Sequence, residues 1–493
     1  MTHERKITLA IGLIGTILYA VLAFSLYRPG QPEFAGEFIY NHYWLALMEG
    51  RFDIPARIAA LEGHYDAEGR AFVYNGLAPL IVRAAAMPFV DLARVSVAPV
   101  TVFLFTWAGT VLYHRSFARV VESAGLDRSM SAFYTVLIGL MIWITAPGSL
   151  LIVNSSVYHE PIAVAFFSAA VGVTLMVAVA QGQRTPWSVL VPIALAAALC
   201  VHARPHVAIG LYAGVVLLIL IHLRREGFVG LGRIVLALGL MMGSGLLLIG
   251  WNYIRFEDLA TMHGSFGQSA LEYGFTYWGL EPQDSPRAIT FQTEGRFLAA
   301  RIPANLFLYV FDTTFFYKID GGTFSAWALR VWSDLTDGIG FIRIEIPWIG
   351  LVWLWTPWMV LIAAAFLTRQ SDSARGWLPL LVAGLAALLL ASYATVTLRY
   401  RVDLWPVVAT LALLALPRML DAGREGLLTL PRMTTRMAFV FLFGAFFSVA
   451  TAIYNNHILR NEGSLAQLSE DTCIRLAEKK GFDPDDVTRI CTL

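Results

Sequence analysis

The sequence predicts an all-α protein that crosses a membrane many times, with about eleven transmembrane helices and further helices in two large loops. Two observations lead to this fold class. Of the 493 residues, 57% are apolar and 14% are charged, whereas a soluble domain is about 25% charged. Apolar stretches of about 20 residues, which is the length that spans a bilayer core, also recur along the chain. The mean hydropathy of +0.63 agrees with both.

The apolar stretches predict eleven spans and the side on which each connection lies. The spans are 7–26, 92–113, 130–151, 161–180, 187–203, 207–222, 234–252, 346–367, 377–397, 403–417 and 437–455. Cytoplasmic loops carry an excess of arginine and lysine. This assignment puts the basic residues on one side: Arg5, Lys6, Arg115, Arg119, Arg184, Arg224, Arg225, Arg369, Arg375 and those of 418–436. The N-terminus is therefore predicted to be cytoplasmic and the C-terminus to lie outside.

Three polar regions on the predicted outer side are longer than a connection requires: 27–91, 253–345 and 456–493. Their aromatic content argues against disorder. The segment FLAARIPANLFLYVFDTTFFY is apolar with isolated charges and predicts helices that lie at the membrane interface. We therefore divide the chain into a transmembrane module, 1–455, and a short outer tail, 456–493.

The three cysteines divide between the membrane and the tail. Cys200 lies in a predicted span and is interpreted as a small buried apolar residue. Cys473 and Cys491 both lie in the tail, where an oxidising compartment favours a disulfide over two free thiols. No cysteine or histidine spacing is typical of a zinc site, and no metal is predicted.

The stretch GEFIYNHYWLALMEG, residues 36–50, places Glu37 directly after the first span. A short helix follows, with Tyr40 and Tyr43 on its apolar side. A carboxylate held against such a helix at the membrane surface can be desolvated and positioned, as a general base requires. An ordinary interfacial glutamate beside an aromatic belt is the alternative.

A second acidic site follows the third span. The sequence NSSVYHEP puts Tyr158, His159 and Glu160 at the start of the fourth span, where Pro161 suits the first turn of a helix. Carboxylates on two outer loops of one bundle can converge on a shared cavity. A histidine that anchors the helix at the interface is the alternative.

Arginines near a membrane span are costly, and they therefore snorkel to the surface, pair with acids or bind a ligand. HARPH places His202 and Arg204 at the end of the fifth span, and LRYRVDLWP places Arg399, Arg401 and Asp403 between the ninth and tenth. Asp403 can pair with Arg399 or Arg401. The alternative is an anion site, because a guanidinium fork matches two phosphate oxygens.

Five motifs follow one another along the chain: GEFIYNHYWLALMEGRF, GRAFVYNGLAPLIVRAAAMP, VYHE, NYIRF and RYRVDLWP. Their order resembles the GT-C superfamily of membrane glycosyltransferases, and the resemblance covers most of residues 1–420. Relatives include protein mannosyltransferases, the lipid A aminoarabinose transferase and mycobacterial arabinosyl- and mannosyltransferases. Many members carry Asp or an acidic pair where this chain has Gly36 and Glu37, and no large outer domain follows the last span.

The resemblance implies an inverting transfer of a sugar from a polyprenyl-phosphate donor to an acceptor hydroxyl on the outer face. Glu37 would be the catalytic base, and Arg399 and Arg401 would bind the donor phosphate. The substrate-binding residues would be Tyr40, Asn41, Tyr158, His159, Glu160, His202 and Arg204. No cofactor is expected, because the donor is itself the activated sugar. A metal ion is not required either, because the donor carries a monophosphate and no pyrophosphate has to be neutralised.

Two other classes share parts of the pattern. A lipid-linked sugar transporter or flippase is also a helical bundle with intramembrane charges, but such proteins usually show repeated halves with charges at the midplane. An O-antigen-type polymerase or ligase has large outer loops and arginines without a requirement for an acid after the first span.

The net charge and the ratio of arginine to lysine indicate the partners and the location of the protein. A net charge of +1 argues against a nucleic-acid partner, so the expected partners are the membrane, the lipid-linked donor and a glycan, lipid or protein acceptor. Only four of the 36 basic residues are lysine, which favours a high-GC bacterium. We therefore expect a multi-pass protein of the bacterial plasma membrane with a periplasmic C-terminus.

Overall fold

Most of the chain folds into helices, as its composition predicts. The computed structural model describes residues 3–24, 34, 36–74, 76–259, 271–282, 284–316, 323–345, 349–367, 376–424, 430–461 and 470–491. Within these residues, the long helices are α1 (His3–Phe24), α5 (Ala98–Ser123), α6 (Arg128–Ile144), α8 (His159–Ala180), α9 (Pro186–Val201), α10 (Pro205–Glu226), α11 (Leu231–Phe256), α17 (Thr356–Leu367), α18 (Trp377–Ala391), α19 (Leu398–Arg424) and α20 (Leu430–Asn461).

Each of the eleven predicted spans overlaps one of these long helices. Six segments among the described residues are long and apolar enough to cross a membrane: His3–Phe24, His159–Ala180, Pro205–Glu226, Leu231–Phe256, Leu398–Asp421 and Thr435–His457. The chain is therefore a helical membrane protein. The number of eleven spans stays a prediction, because the remaining helices are shorter or more polar.

The other helices of the described residues lie in the connecting segments and in the tail. They are α2 (Ile39–Met48), α3 (Ala56–Ala59), α4 (Leu80–Ala86), α7 (Gly148–Ile152), α12 (Gly274–Tyr277), α13 (Pro286–Thr293), α14 (Ile302–Phe311), α15 (Thr323–Thr336), α16 (Leu351–Leu354), α21 (Glu470–Lys479) and α22 (Pro484–Cys491). Several of these helices lie in the described residues of 27–91 and 253–345. That they lie at an outer membrane interface stays a prediction.

Aromatic side chains fill the centre of the bundle. Trp355, Trp358 and Trp405 are fully buried and pack edge to face, with the Trp355 and Trp405 ring centroids 5.1 Å apart. The Trp358 indole N–H donates to the carbonyl oxygen of Thr145 at 3.1 Å, so its polar atom is satisfied in the core. These contacts fix α17 and α19 against the end of α6.

The connecting segments also contain strands, which the prediction of an all-α fold missed. Strands β1 (Asp53–Ile54), β2 (His64–Tyr65), β3 (Ala71–Phe72) and β4 (Glu272–Tyr273) form an antiparallel sheet in the order β1-β3-β2-β4. Strands β5 (Arg343–Ile344) and β6 (Thr395–Val396) pair in parallel. A strand of two residues is too short to show the period-2 alternation by which strands are recognised.

We call the described residues of 34–97, 271–345 and 470–491 the cap. The first sheet joins its first two segments, because β2 and β4 are neighbours. The third segment is joined to them by packing. The Lys480 Nζ lies 3.4 Å from the centroid of the Tyr277 ring and 3.7 Å from the Glu272 carboxylate, and Tyr277 stacks on Tyr65 at 4.3 Å.

Within the third segment, Cys473 and Cys491 form a disulfide that joins α21 to α22, with their Cα atoms 5.6 Å apart. Both cysteines are buried, together with Val487 and the ring of Tyr277. The tail is therefore a helical hairpin that packs against the other two segments of the cap, and its disulfide is the one that the sequence favoured. Cys200 is buried and free, as expected for an apolar residue in a span.

Candidate functional site

A cavity of about 520 Å³ lies where the cap meets α8, α9, α10, α11, α18 and α19. Its apolar lining comes from positions inside the long helices, and we call this part the apolar end: Ile209 of α10, Leu248 and Ile249 of α11, and Leu389 and Leu390 of α18. The side chains of Ile209 and Ile249 are 51% and 44% exposed, so this end reaches the outer surface of the bundle.

The cationic lining, which we call the cationic end, comes from the cap and from positions where the helices begin or end. It contains Arg204, Arg296 and Arg399 with His202 and His206, and no Asp or Glu among the residues that the structure describes. A cavity that joins an apolar end to a group of arginines fits an amphiphile with a negatively charged head group.

Arg399 lies in the first turn of α19, at the border between the cap and the bundle. Its Nη1 is 3.0 Å from the Glu345 carboxylate, and its guanidinium lies 4.3 Å from the centroid of the Tyr158 ring. The β5–β6 pair brings Glu345 to this position, because the Glu345 N–H donates to the carbonyl oxygen of Val396 at 2.9 Å. Burial alone would raise the pKa of Glu345, but Arg399 and Arg343 lower that pKa below its usual value.

Arg204 immediately precedes α10 and lines the same cavity. Its Nη2 lies 3.7 Å from an Asp403 carboxylate oxygen, and His206 Nε2 lies 3.1 Å from the same oxygen. Asp403 therefore pairs with Arg204 and His206, and the expected pairing with Arg399 or Arg401 is wrong. The two motifs HARPH and RYRVD meet at one carboxylate.

Arg401 does not reach the cavity, which corrects the expectation that it faces the donor beside Arg399. Residues two apart on a helix point to nearly opposite sides, since each turns by about 100°. Arg401 is buried, with its Nη2 3.5 Å from the Asp312 carboxylate and its guanidinium 5.6 Å from the Tyr309 ring centroid. Arg401 and Asp312 therefore form a buried ion pair between α19 and the cap.

A second cavity of about 40 Å³ adjoins the first. Both cavities are lined by Tyr158, Tyr393, Arg399 and Tyr400. The smaller one is also lined by two carboxylates, Glu62 and Glu345, and by Arg287 and Arg343. The Tyr158 hydroxyl donates a hydrogen bond to the Glu62 carboxylate.

The expected catalytic base, Glu37, lies in neither of these cavities. It lines a separate space of about 20 Å³ together with Asn154, Ser155 and Arg460. The Ser155 hydroxyl lies 3.3 Å from one Glu37 carboxylate oxygen, and the Phe34 N–H lies 3.4 Å from the other. Glu37 is therefore a buried carboxylate at the junction of the cap with α7 and α20, apart from Arg399.

Four of the expected substrate-binding residues also line neither of the two cavities at Arg399. Glu160 is buried in a bidentate ion pair with Arg83, whose Nη2 is 2.9 Å from Glu160 Oε1. The Arg83 Nε–H donates to Asn41 Oδ1 at 3.1 Å, and the Arg83 guanidinium lies 5.5 Å from the centroid of the Tyr40 ring. His159 Nδ1 is 2.8 Å from the Ser156 hydroxyl.

The Asn41 amide donates to the carbonyl oxygens of Leu92 and Val95 at 2.9 and 2.8 Å. This network therefore ties α2 and α4 of the cap to α8. Of the expected substrate-binding residues, the structure brings Tyr158, His202 and Arg204 to the larger cavity, and Arg399 from the expected phosphate site joins them.

Several residues at these cavities were not predicted from the sequence. Glu62, Arg296, Arg343 and Glu345 lie in the two large loops, where no helical or strand period marks them. The available signal was weak, namely that the loops are long and that long loops often carry function.

No protein-family model matches the chain, and no curated protein matches it. Among solved structures, the crystal structure of the apo form of the oligosaccharyltransferase from Archaeoglobus fulgidus aligns with 97% of this chain at 13% identity and a TM-score of 0.40. The chain spans 58% of that protein's length. A likeness of this size is too weak to define the family or the reaction of this chain.

Proposed function

We propose that this protein is a membrane glycosyltransferase that moves a sugar from a polyprenyl-phosphate donor to an acceptor hydroxyl, with inversion at the anomeric carbon. The single observation that supports it best is the amphiphilic cavity of about 520 Å³, with arginines at one end and an apolar end that reaches the surface of the bundle. An isoprenoid phosphate has this same division between a charged head and an apolar chain.

The arginines of the cavity would bind the donor phosphate and stabilise it as the leaving group. When the bond between the anomeric carbon and the phosphate oxygen breaks, the electron pair remains on the phosphate. Positive groups already in position lower the energy of the developing charge. Arg399 and Arg204 each have a carboxylate partner, Glu345 and Asp403, which holds the guanidinium in place before the donor binds.

The apolar end would hold the first isoprene units. Ile209 and Ile249, on α10 and α11, leave this end open to the surface that faces lipid in the proposed setting. Tyr158 and His202, at the cationic end, would orient the sugar. The outer face of a bacterial plasma membrane, as the sequence predicts, remains the proposed location.

The reaction also needs a base for the acceptor hydroxyl. Glu37 is the candidate that the sequence and the family resemblance supply, and its role remains a proposal to be tested against that of other carboxylates. The chemistry calls for no metal or cofactor, because the donor is already activated by its phosphate.

Donor binding tests the cavity. We expect Arg399→Ala and Arg204→Ala to weaken binding of decaprenyl phosphate to the protein in nanodiscs about tenfold to a hundredfold, because each removes charge-assisted hydrogen bonds of ~1.5–3 kcal/mol. Arg399→Lys keeps the charge but loses the fork, so it should bind less tightly than the wild type. The measurement is a titration with fluorescent lipid.

Arg70→Ala is the matched control. Arg70 lies in the cap and pairs with Asp66 and Glu68, but it lines neither cavity. If both Arg399→Ala and Arg204→Ala bind decaprenyl phosphate with wild-type affinity, the phosphate does not bind in this cavity.

Transfer itself is tested with membranes that contain the protein and polyprenyl-phosphate donors carrying labelled hexoses or pentoses. A glycosyltransferase moves the label covalently to an acceptor or, more slowly, to water. A flippase would move the intact donor across the bilayer without breaking its glycosidic bond, and this result would contradict the proposal.

A further inference from the structure

We infer that Glu62, in place of Glu37, is the general base that removes the proton from the acceptor hydroxyl. This inference rests on the proposed function and specifies its chemistry. The acceptor oxygen attacks the anomeric carbon as its proton passes to the Glu62 carboxylate. The bond from that carbon to the phosphate oxygen breaks, and the phosphate leaves with the electron pair beside Arg399.

The first support is the placement of Glu62 relative to Arg399. Both side chains line the cavity of about 40 Å³, and both contact Tyr158. Glu62 accepts a hydrogen bond from the hydroxyl of Tyr158, whereas the Arg399 guanidinium lies over the ring at 4.3 Å from its centroid. An inverting displacement requires a base for the acceptor and a cation at the leaving group within reach of one reacting carbon. The shared contact with Tyr158 keeps Glu62 and Arg399 close enough for these two roles.

The second support is the size and position of the smaller cavity. Its volume of about 40 Å³ exceeds the 10–15 Å³ that one water needs and therefore leaves room for a hydroxyl group beside Glu62. It adjoins the larger cavity at Tyr158, Tyr393 and Arg399, where a sugar attached to the donor phosphate would begin.

The third support is the backbone that presents Glu62. Ala60, two residues before it, has φ of +43°, a conformation that costs energy in a residue with a Cβ. The Tyr65 hydroxyl holds this turn by donating to the carbonyl oxygens of Ala60 at 2.6 Å and Ala56 at 3.0 Å. Strained backbone that is held by its surroundings is concentrated at functional sites.

The environments of the two carboxylates in this cavity also differ. Burial raises the pKa of Glu62, and the Tyr158 hydrogen bond and Arg399 oppose this effect only in part. Glu345 and Arg343 also face Glu62, and the pKa of Glu345 is lowered instead. Two neighbouring carboxylates with opposite shifts indicate different tasks. Glu345 stays ionised against Arg399, and Glu62 is the one able to exchange a proton.

Replacement of the carboxylate tests the role. Glu62→Gln should lower kcat for sugar transfer by about 10²–10⁴-fold, the usual contribution of general-base catalysis, while the affinity for decaprenyl phosphate stays near that of the wild type. In the wild type, transfer should increase as the pH rises through the raised pKa of Glu62, because only the carboxylate accepts a proton. This acid limb should be absent in Glu62→Gln.

Two further variants keep the test decisive. In Glu62→Ala, formate should restore part of the transfer by acting as a base in the space left by the side chain, which a purely structural glutamate would not allow. Glu272→Gln removes a cap carboxylate that pairs with Lys480 and lines neither cavity, and it should transfer at the wild-type rate.

The transfer assay distinguishes failure of the role of Glu62 from failure of the proposed glycosyltransferase function. If the wild type transfers sugar and Glu62→Gln does so at the same rate, Glu62 is not the base, and loss of transfer in Glu37→Gln alone would assign that role to Glu37. If the wild type transfers no sugar from any polyprenyl-phosphate donor, the proposed function itself is wrong.

Discussion

At the scale of residues, two arginines in one helical turn occupy opposite environments. Arg399 remains 16% exposed in its side chain and lines both cavities, while Arg401 is sealed against Asp312. The cost of a charge near a membrane predicts that both need a partner or ligand. Only the helical phase, which is fixed by where α19 begins, determines which of the two faces the cavity.

Arg401→Ala should therefore destabilise the fold instead of weakening donor binding. It leaves the Asp312 carboxylate buried without its cation, and breaking a buried pair in this way costs about 3–5 kcal/mol. Thermal unfolding in detergent should show a lower Tm, and the folded fraction should bind decaprenyl phosphate like the wild type.

The double variant Arg401→Met/Asp312→Leu is the control, because replacing both charges with apolar side chains removes the unpaired carboxylate. It should recover most of the lost Tm. An Arg401→Ala protein with wild-type Tm and weakened donor binding would show that Arg401 serves the donor after all.

Among the candidate residues, the sequence could predict those that stand beside membrane spans. Charged and aromatic residues at helix ends are conspicuous in an apolar chain. The residues predicted in this way are Tyr158, His202, Arg204 and Arg399. Glu62 could not be predicted in this way, because it lies on a short turn within a loop. Its hydrogen-bond partner Tyr158 is more than 90 residues away in the sequence.

At the scale of elements, hydropathy predicted the long helices well because a helix in an apolar environment satisfies its own backbone hydrogen bonds. The two small sheets could not be predicted, because each strand supplies only two residues and because the partners in the β2–β4 and β5–β6 pairs lie far apart along the chain. The pairing of β2 with β4 joins residues about 200 apart, and no local pattern encodes such a contact.

The disulfide-linked hairpin of α21 and α22 gives a prediction at this scale. Cys473→Ser/Cys491→Ser should loosen the tail, because the bond closes a loop with a sequence separation of 18, for which chain entropy gives about 3 kcal/mol. Hydrogen exchange should become faster in 470–491 and in the segment around Tyr277, on which the tail packs.

Cys200→Ala is the matched control, since it removes the one free cysteine of the described residues without touching the tail. Its exchange in 470–491 should equal that of the wild type. Unchanged exchange in the double serine variant would mean that packing on Tyr277 holds the tail without help from the disulfide.

At the scale of the whole molecule, the cap lies at the N-terminal end of α8, where Glu160 pairs with Arg83, and the loop that carries Arg184 lies at its C-terminal end. This helix has 22 residues and is about 33 Å long at 1.5 Å per residue, enough to cross a bilayer core. Cysteines at Glu68, in the cap, and at Gln183, after α8, should therefore lie on opposite sides of the membrane. Both positions are exposed.

An impermeant maleimide should label Glu68→Cys in intact cells, in a Cys200→Ala background. Gln183→Cys should react only after the cells are permeabilised, because Arg184 and its neighbours favour the cytoplasmic side. The reverse pattern would invert the orientation and place both cavities on the cytoplasmic side.

The open apolar end at Ile209 and Ile249 has a consequence for how often the protein can work. Moving an isoprenoid chain through water costs about 0.8 kcal/mol for each CH₂ group, so a spent carrier of many such groups cannot leave through the cap. Under the proposed function it departs sideways into the bilayer, and its replacement arrives by the same route. Turnover would then depend on two-dimensional diffusion and on the fluidity of the surrounding lipid, independently of any traffic of the carrier through the aqueous phase.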